Sequence, residues 1–252
     1  MTETNCDVEK LERTVREIAT ENPATVRVFE RLGIDYCCGG KRTLAHACAL
    51  AGVAPEQALD LLAKAVETPG DSGISWDSAP LGALTAYIAG KHHAFARREG
   101  ARIEALLRKV VERHGAGHPE LTEIEDLFGA LSRELSVHML KEEAVLFPHI
   151  EAMEREAGER KPASPACFAS VSLPIARMTA DHDDAGALLL RMRELSNGYA
   201  APESACPTYL GAYRALEEFE QDLHRHVHLE NNVLFPRAIE MEARAAEAAH
   251  AR

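Results

Sequence analysis

Two stretches 88 residues apart constrain the fold more than anything else in the chain: HMLKEEAVLFP, from His138 to Pro148, and HVHLENNVLFP, from His226 to Pro236. Both fit H-x3-E-x3-L-F-P, and both lie on an apolar helical stripe. One stripe runs Ile124, Leu127, Leu131, Leu135, His138, Glu142, Leu146; the other runs Leu216, Phe219, Leu223, His226, Glu230, Leu234. Steps of three and four place all these side chains on one helix face, so each seam that must be buried carries an imidazole and a carboxylate. A third stripe, Ile175, Met178, His182, Ala185, Leu189, Met192, carries another histidine within DHDDAG.

The repeat extends further. His93 and His182 are 89 residues apart, so a helix carrying a histidine, followed by a helix carrying His-x3-Glu, occurs twice. Polar breaks at HGAGHPE, REAGERKPASP and NGYAAPESACP separate four long helices from Pro80 onward. The expectation is a four-helix bundle with internal pseudo-two-fold symmetry.

Burying a carboxylate in a helical core costs several kcal/mol unless it is protonated, ion-paired or bound to a metal. A lone His-x3-Glu is usually a structural or surface ion pair, but two copies on facing seams call for a common partner. Imidazole nitrogen and carboxylate oxygen suit iron, manganese or zinc. Four histidines and two glutamates exceed one closed tetrahedral zinc site and fit two metals sharing bridging carboxylates. The first helix leaves a choice, because KHHAFARREG offers His92 and His93. Simple periodicity from Leu81, Leu84 and Ile88 favours His92, whereas His93 falls on a face of small residues. Glu143 and Asn231 point about a quarter-turn away from the glutamates, as solvated or supporting groups. One of Asp181, Asp183 and Asp184 is placed to orient an imidazole.

Composition narrows the remaining classes. With 46% hydrophobic but only 5% aromatic residues, the core is helical and filled by Leu and Ala. A net charge of -12 without a basic cluster argues against nucleic acid or an anionic membrane as partner. No secretory leader is apparent, and no stretch approaches the roughly 18 apolar residues of a membrane span, so a cytoplasmic location is expected. The six cysteines, Cys6, Cys37, Cys38, Cys48, Cys167 and Cys206, are then expected to stay reduced.

Residues 1–67 form a separate helical module, with Asp7 as a first cap, Asn22-Pro23 opening a second helix and Gly33 stopping it. Residues 68–79 are a linker dominated by Pro, Gly, Asp and Ser, and 80–252 are the bundle. The turn DYCCGG places Cys37 and Cys38 ahead of Gly39 and Gly40, where thiolates are reactive or merely pack the module.

The doubled motif, ADHDDAG between its copies and DYCCGGKRTL near the N-terminus together resemble the RIC (Repair of Iron Centres) di-iron proteins, from about Val8 to Met241. The resemblance implies an all-α fold, a four-helix hemerythrin-like bundle with a small N-terminal helical domain. It implies two non-haem iron ions held by His93, His138, Glu142, His182, His226 and Glu230, with both glutamates bridging. The choice of His93 rests on its distance from Trp76, counted as in the family. It further implies repair of iron-sulfur clusters damaged by nitric oxide or oxidants, through a centre that binds nitric oxide or O2 or donates iron, with reduction of nitric oxide to nitrous oxide as the candidate turnover. Cys37 and Cys38 become candidate redox, nitric-oxide or iron-transfer thiols. Damaged iron-sulfur proteins and a second copy of the chain are the candidate partners. Tyr87 and Tyr213 could supply a hydrogen bond to the site if they face it. The rival from another class is a hemerythrin-like carrier or sensor that binds O2, nitric oxide or iron reversibly without turnover. A ferritin-like oxidase is discounted, since its Glu-x-x-His spacing occurs only at Glu247 and His250. A zinc hydrolase would leave the sixth ligand unexplained.

Overall fold

A computed structural model describes residues 9–67, 76–159 and 168–250. The expected Asp7 cap, Cys6, Cys167 and most of the linker lie outside these residues. Among those described there is no strand, only a single antiparallel bridge between Thr14 and Thr43. No described helix is long and apolar enough to cross a membrane. By contact density the chain forms two units: Met1–Pro80 with Val227–Pro236, and Leu81–His226 with Arg237–Arg252.

In the first unit, helix α1 (Val15–Glu21) begins at a capping box: the Glu17 amide bonds the Thr14 hydroxyl while the Glu17 carboxylate accepts the Thr14 amide. A 3-10 turn over Pro23–Thr25 follows, capped by the Asn22 side chain with proline in its first position, as the sequence predicts. Helix α2 (Val26–Leu32) ends at Gly33, whose φ of 66° is the left-handed conformation that closes helices and that glycine adopts without strain. Helices α3 (Leu44–Ala51) and α4 (Pro55–Glu67) complete a core built on Val15, Phe29, Ile34, Tyr36, Leu44 and Leu62.

Four long helices make up the second unit, except that the stretch Val227–Pro236 of the last belongs to the first. Helix α5 runs through Leu81–Tyr87, Ile88–His93 and Ala94–His114; α6 through Glu120–Lys141, Glu142–Leu146 and Phe147–Glu159. Helix α7 spans Ser172–Leu195, and α8 runs through Pro207–Leu229, Glu230–Leu234 and Phe235–His250. The predicted stripes face inward: all six positions from Ile175 to Met192 are buried, as are Leu216, Phe219 and Leu223. On α6, Leu127 is only half-buried, and Phe128 takes the core position beside it.

The internal repeat also appears in the helix starts. The Glu154 carboxylate accepts the Leu81 and Gly82 amides at the start of α5 (2.7 and 2.9 Å). The Glu242 carboxylate accepts the Val171 amide and the Ser170 hydroxyl at the start of α7 (2.8 and 2.6 Å). These glutamates are again 88 residues apart. Each uses a negative charge to satisfy the donors a helix start leaves open.

Candidate metal centre

Three of the four long helices widen where their candidate ligands stand. The Phe147 amide bonds the carbonyl of Glu142, the Phe235 amide that of Glu230, and the Ala94 amide that of Ala89, each five residues back instead of four. Each is a π-turn, one residue inserted into a continuous helix, a feature common at functional sites. This explains the L-F-P ending. A proline in a regular helix loses a hydrogen bond and its ring strikes the carbonyl four residues earlier. Just past a π-turn that ladder is already displaced, so α6 continues through Pro148 to Glu159, and α8 through Pro236 to His250.

The π-turn in α5 also bears on the choice of histidine. Four residues beyond Ile88 the stripe would reach His92; with one residue inserted it reaches His93, and the buried series then continues with Gly100, Ile103, Leu107 and Val110. Both histidines are buried, but they do different things. His93 Nε2 lies 3.1 Å from His226 Nε2 and 3.5 Å from the Glu142 carboxylate. His92 turns its Nδ1 to Asp222 at 3.0 Å and stacks on the His226 ring, with centroids 5.8 Å apart and planes within 8°.

The expected side chains form two groups, each with ligand atoms within 4.8 Å of one another: His93, Glu142, His226 and Glu230, and His138, Glu142, His182 and Glu230. Both glutamates belong to both groups, and all six residues are buried. In the second group His138 Nε2 stands 3.0 Å from His182 Nε2 and 3.2 Å from Glu142.

The outer nitrogens of His93 and His138 are held as well. His93 Nδ1 faces the Glu143 carboxylate at 2.7 Å, and Arg97 approaches the same oxygen at 2.9 Å. Partial burial pushes the Glu143 carboxyl up, but the contacts from His93 and Arg97 outweigh it and hold it below its ordinary range. His138 Nδ1 faces Asp181 at 3.5 Å, with Arg177 on the same carboxylate at 2.9 Å. A carboxylate at Nδ1 keeps the proton there and turns the Nε2 lone pair inward. The inward lone pairs of His93 and His138 then face the Glu142 carboxylate at 3.5 and 3.2 Å and are repelled by it unless a cation lies among them. The donor set therefore suits metal. The Phe147 ring of the L-F-P motif closes one side, stacked on His93 at 5.7 Å. A cleft lined by Val137, Lys141, Arg177 and Asp184 opens toward His138.

Several expectations fare differently. Asp183 and Asp184 are exposed, so of the three neighbouring aspartates only Asp181 turns to an imidazole. Tyr213 is buried but bonds the Tyr209 hydroxyl at 3.3 Å, and it precedes His226 by 13 residues, about 20 Å along the helix. It supplies nothing to this centre. Tyr87 packs edge-on against His92, at 5.6 Å.

The DYCCGG turn is organised from within the first unit. The Asp35 carboxylate accepts the amides of Cys37, Cys38 and Gly39 at 3.1, 3.0 and 2.9 Å. The two thiol sulfurs stand 3.7 Å apart, and with Asp35 they form a further group with metal-binding potential. A hydrogen bond with Cys38 and burial push the Cys37 thiol up. A Cβ on Gly40 would come within 3.0 Å of the Tyr36 carbonyl and 3.1 Å of the Asn232 side chain, which explains the glycine. The Asn232 amide donates to the Tyr36 carbonyl at 3.0 Å, and His228 packs edge-on against the Tyr36 ring at 5.4 Å. Burial pushes the His228 imidazole down to about 4. The local pattern leaves His228 as an ordinary surface or core histidine and gives Asn232 no role, though a signal exists: the first repeat has Leu140 and Ala144 where the second has His228 and Asn232.

Comparison with known proteins agrees with this architecture. Residues 88–238 match the hemerythrin HHE cation binding domain, and residues 11–66 match a domain of unknown function, DUF542. The iron-sulfur cluster repair protein YtfE of Pectobacterium atrosepticum is 35% identical over 231 residues, covering 92% of this chain and 98% of its own. The protein of that name from Escherichia coli O157:H7 is 36% identical over 225 residues, covering 88% and 94%. With buried histidines and glutamates at the helix positions described, the chain belongs to the hemerythrin HHE cation-binding family, in the two-domain branch of the iron-sulfur cluster repair proteins.

Proposed function

We propose that this protein restores damaged iron-sulfur proteins in the cytoplasm under nitrosative or oxidative stress, using a pair of non-haem irons in the bundle. His93 and His226 would hold one iron and His138 and His182 the other, with the carboxylates of Glu142 and Glu230 within reach of both. The observation that carries this reading is the sharing of both buried carboxylates by two otherwise separate histidine pairs. When bound, two irons supply redox equivalents and open positions for a small ligand such as nitric oxide or O2.

The chain's own residues set the conditions. Glu143 and Asp181 hold protons at the outer nitrogens of His93 and His138, which turns the inner nitrogens toward the metal position. His92, anchored by Asp222, buttresses the His226 ring. Phe147 and the surrounding aliphatic core exclude water, which strengthens every charge interaction inside. The cleft beside His138 is the route for a diatomic ligand. Cys37 and Cys38 are thiols for iron or nitric oxide, held in a fixed turn by Asp35.

Anaerobically purified protein should contain two irons per chain, with a Mössbauer signature of a coupled pair. It should return activity to a dehydratase whose cluster has been damaged by nitric oxide. His93→Ala should lose iron while His92→Ala retains it. One iron per chain, or full iron content in His93→Ala, would overturn the ligand assignment. Stoichiometric uptake of nitric oxide with no gas product and no cluster recovery would favour a reversible carrier or sensor.

A further inference from the structure

A separate cluster of reactive side chains lies near the start of α8, where the mechanism above uses nothing. Cys206 immediately precedes Pro207, the first residue of α8, and its carbonyl accepts the Leu210 amide at 3.1 Å, so it is the N-terminal cap of a 23-residue helical stretch. The Tyr209 amide, with the Thr208 amide and hydroxyl, outweighs the effect of desolvation and holds the thiol below its ordinary range. A capping cysteine alone would be unremarkable. The further element is His114, the last residue of its helical stretch in α5, whose Nε2 lies 3.2 Å from the Cys206 sulfur across 92 residues of sequence.

The remaining neighbours fix the imidazole. The Tyr209 ring packs against His114 at 5.5 Å and against His118 at 5.9 Å. His118 is held by Glu120 at 3.0 Å, and Arg113 adds positive charge beside the sulfur. Both Cys206 and His114 are partly exposed. Cys206 precedes His226 by 20 residues, about 30 Å along α8. The pair is thus chemically independent of the proposed irons.

We propose that Cys206 and His114 form a thiolate–imidazolium pair that reacts with small peroxides, a second oxidant-responsive centre in the molecule. A thiolate is the nucleophile in such chemistry, and a helix start with an adjacent imidazolium stabilises it. The sulfur attacks one peroxide oxygen and forms an S–O bond as the O–O bond breaks. The electron pair of that bond leaves with the departing oxygen, which takes the proton of His114. Hydrogen peroxide thereby yields water, neutral His114 and a sulfenic acid at Cys206.

The test uses full-length, metal-loaded protein near pH 7. Iodoacetamide alkylation followed by peptide mass spectrometry should modify Cys206 at least tenfold faster than buried Cys48, and His114→Ala should slow Cys206 about tenfold. With hydrogen peroxide and a sulfenic-acid trap, the adduct should form first on Cys206 and drop in His114→Ala. Comparing that one peptide between wild type and variant cancels any reaction of peroxide with the metals. Circular dichroism and metal content of His114→Ala should match wild type. Equal reactivity of Cys206 and Cys48, or an unchanged Cys206 rate in His114→Ala, would overturn the proposal.

Discussion

Replacing Glu143 by Gln keeps the shape and an acceptor oxygen while removing the charge that faces His93. The contact is 2.7 Å long and Glu143 is 30% exposed, so a charge-assisted hydrogen bond is being exchanged for a neutral one. Charged hydrogen bonds contribute about 1.5–3 kcal/mol net and neutral ones about 1, a difference of about 1 kcal/mol before the change in His93 basicity is counted. Loss of groups that orient a metal-bound histidine typically costs about 10- to 100-fold in affinity. The two considerations meet near tenfold for the metal position that includes His93, with little change at the His138 and His182 position. Anaerobic titration of iron-depleted protein with Fe(II) against a competing chelator would measure both sites. Two affinities within twofold of wild type would refute the idea that the Glu143 carboxylate tunes His93.

Chelating the metal should lower thermal stability, because a ligand that binds only the folded state at 100 times its Kd contributes about 2.7 kcal/mol; calorimetry with and without chelator would read it. Thr14→Ala removes the capping box of α1 and should cost about 1 kcal/mol, visible in urea denaturation of the first unit. Gly40→Ala forces a methyl group against the Tyr36 carbonyl, 3.0 Å away, and should cost about 1–3 kcal/mol while raising amide exchange at Cys37 and Cys38. Leu107→Ala, at a fully buried position, should cost about 2–5 kcal/mol in chemical denaturation and leave iron stoichiometry unchanged.

The inward faces of α6, α7 and α8 were legible because hydrophobic period and burial coincide over many turns. Ile175 to Met192 is the clearest case, with every predicted position buried. The clustering of His138, Glu142, His182, His226 and Glu230 followed from the same periodicity. The first helix was different. Its stripe changes phase between Ile88 and His93, and nothing in a hydrophobic pattern marks the residue where a helix lengthens by one. Periodicity pointed at His92, whereas the distance from Trp76 carried by the family resemblance pointed at His93. Glu143 was legible only as a solvated or supporting group, and Asp222 escaped altogether, because polar residues beside a stripe look alike whether they meet water or an imidazole. The roles of His228 and Asn232 depend on contacts with Tyr36, nearly 200 residues earlier, which no local pattern records.

The inserted residue in α5, α6 and α8 works like a slip joint in a shaft. Side chains before and after each joint can keep their own phase against neighbouring helices, while the segment around the joint aims its donors independently. Substitutions in the flanking stretches can therefore drift in size or shape without dragging the donor atoms off their mark. Shortening any joint by one residue would force a choice between a filled core and a correctly aimed donor.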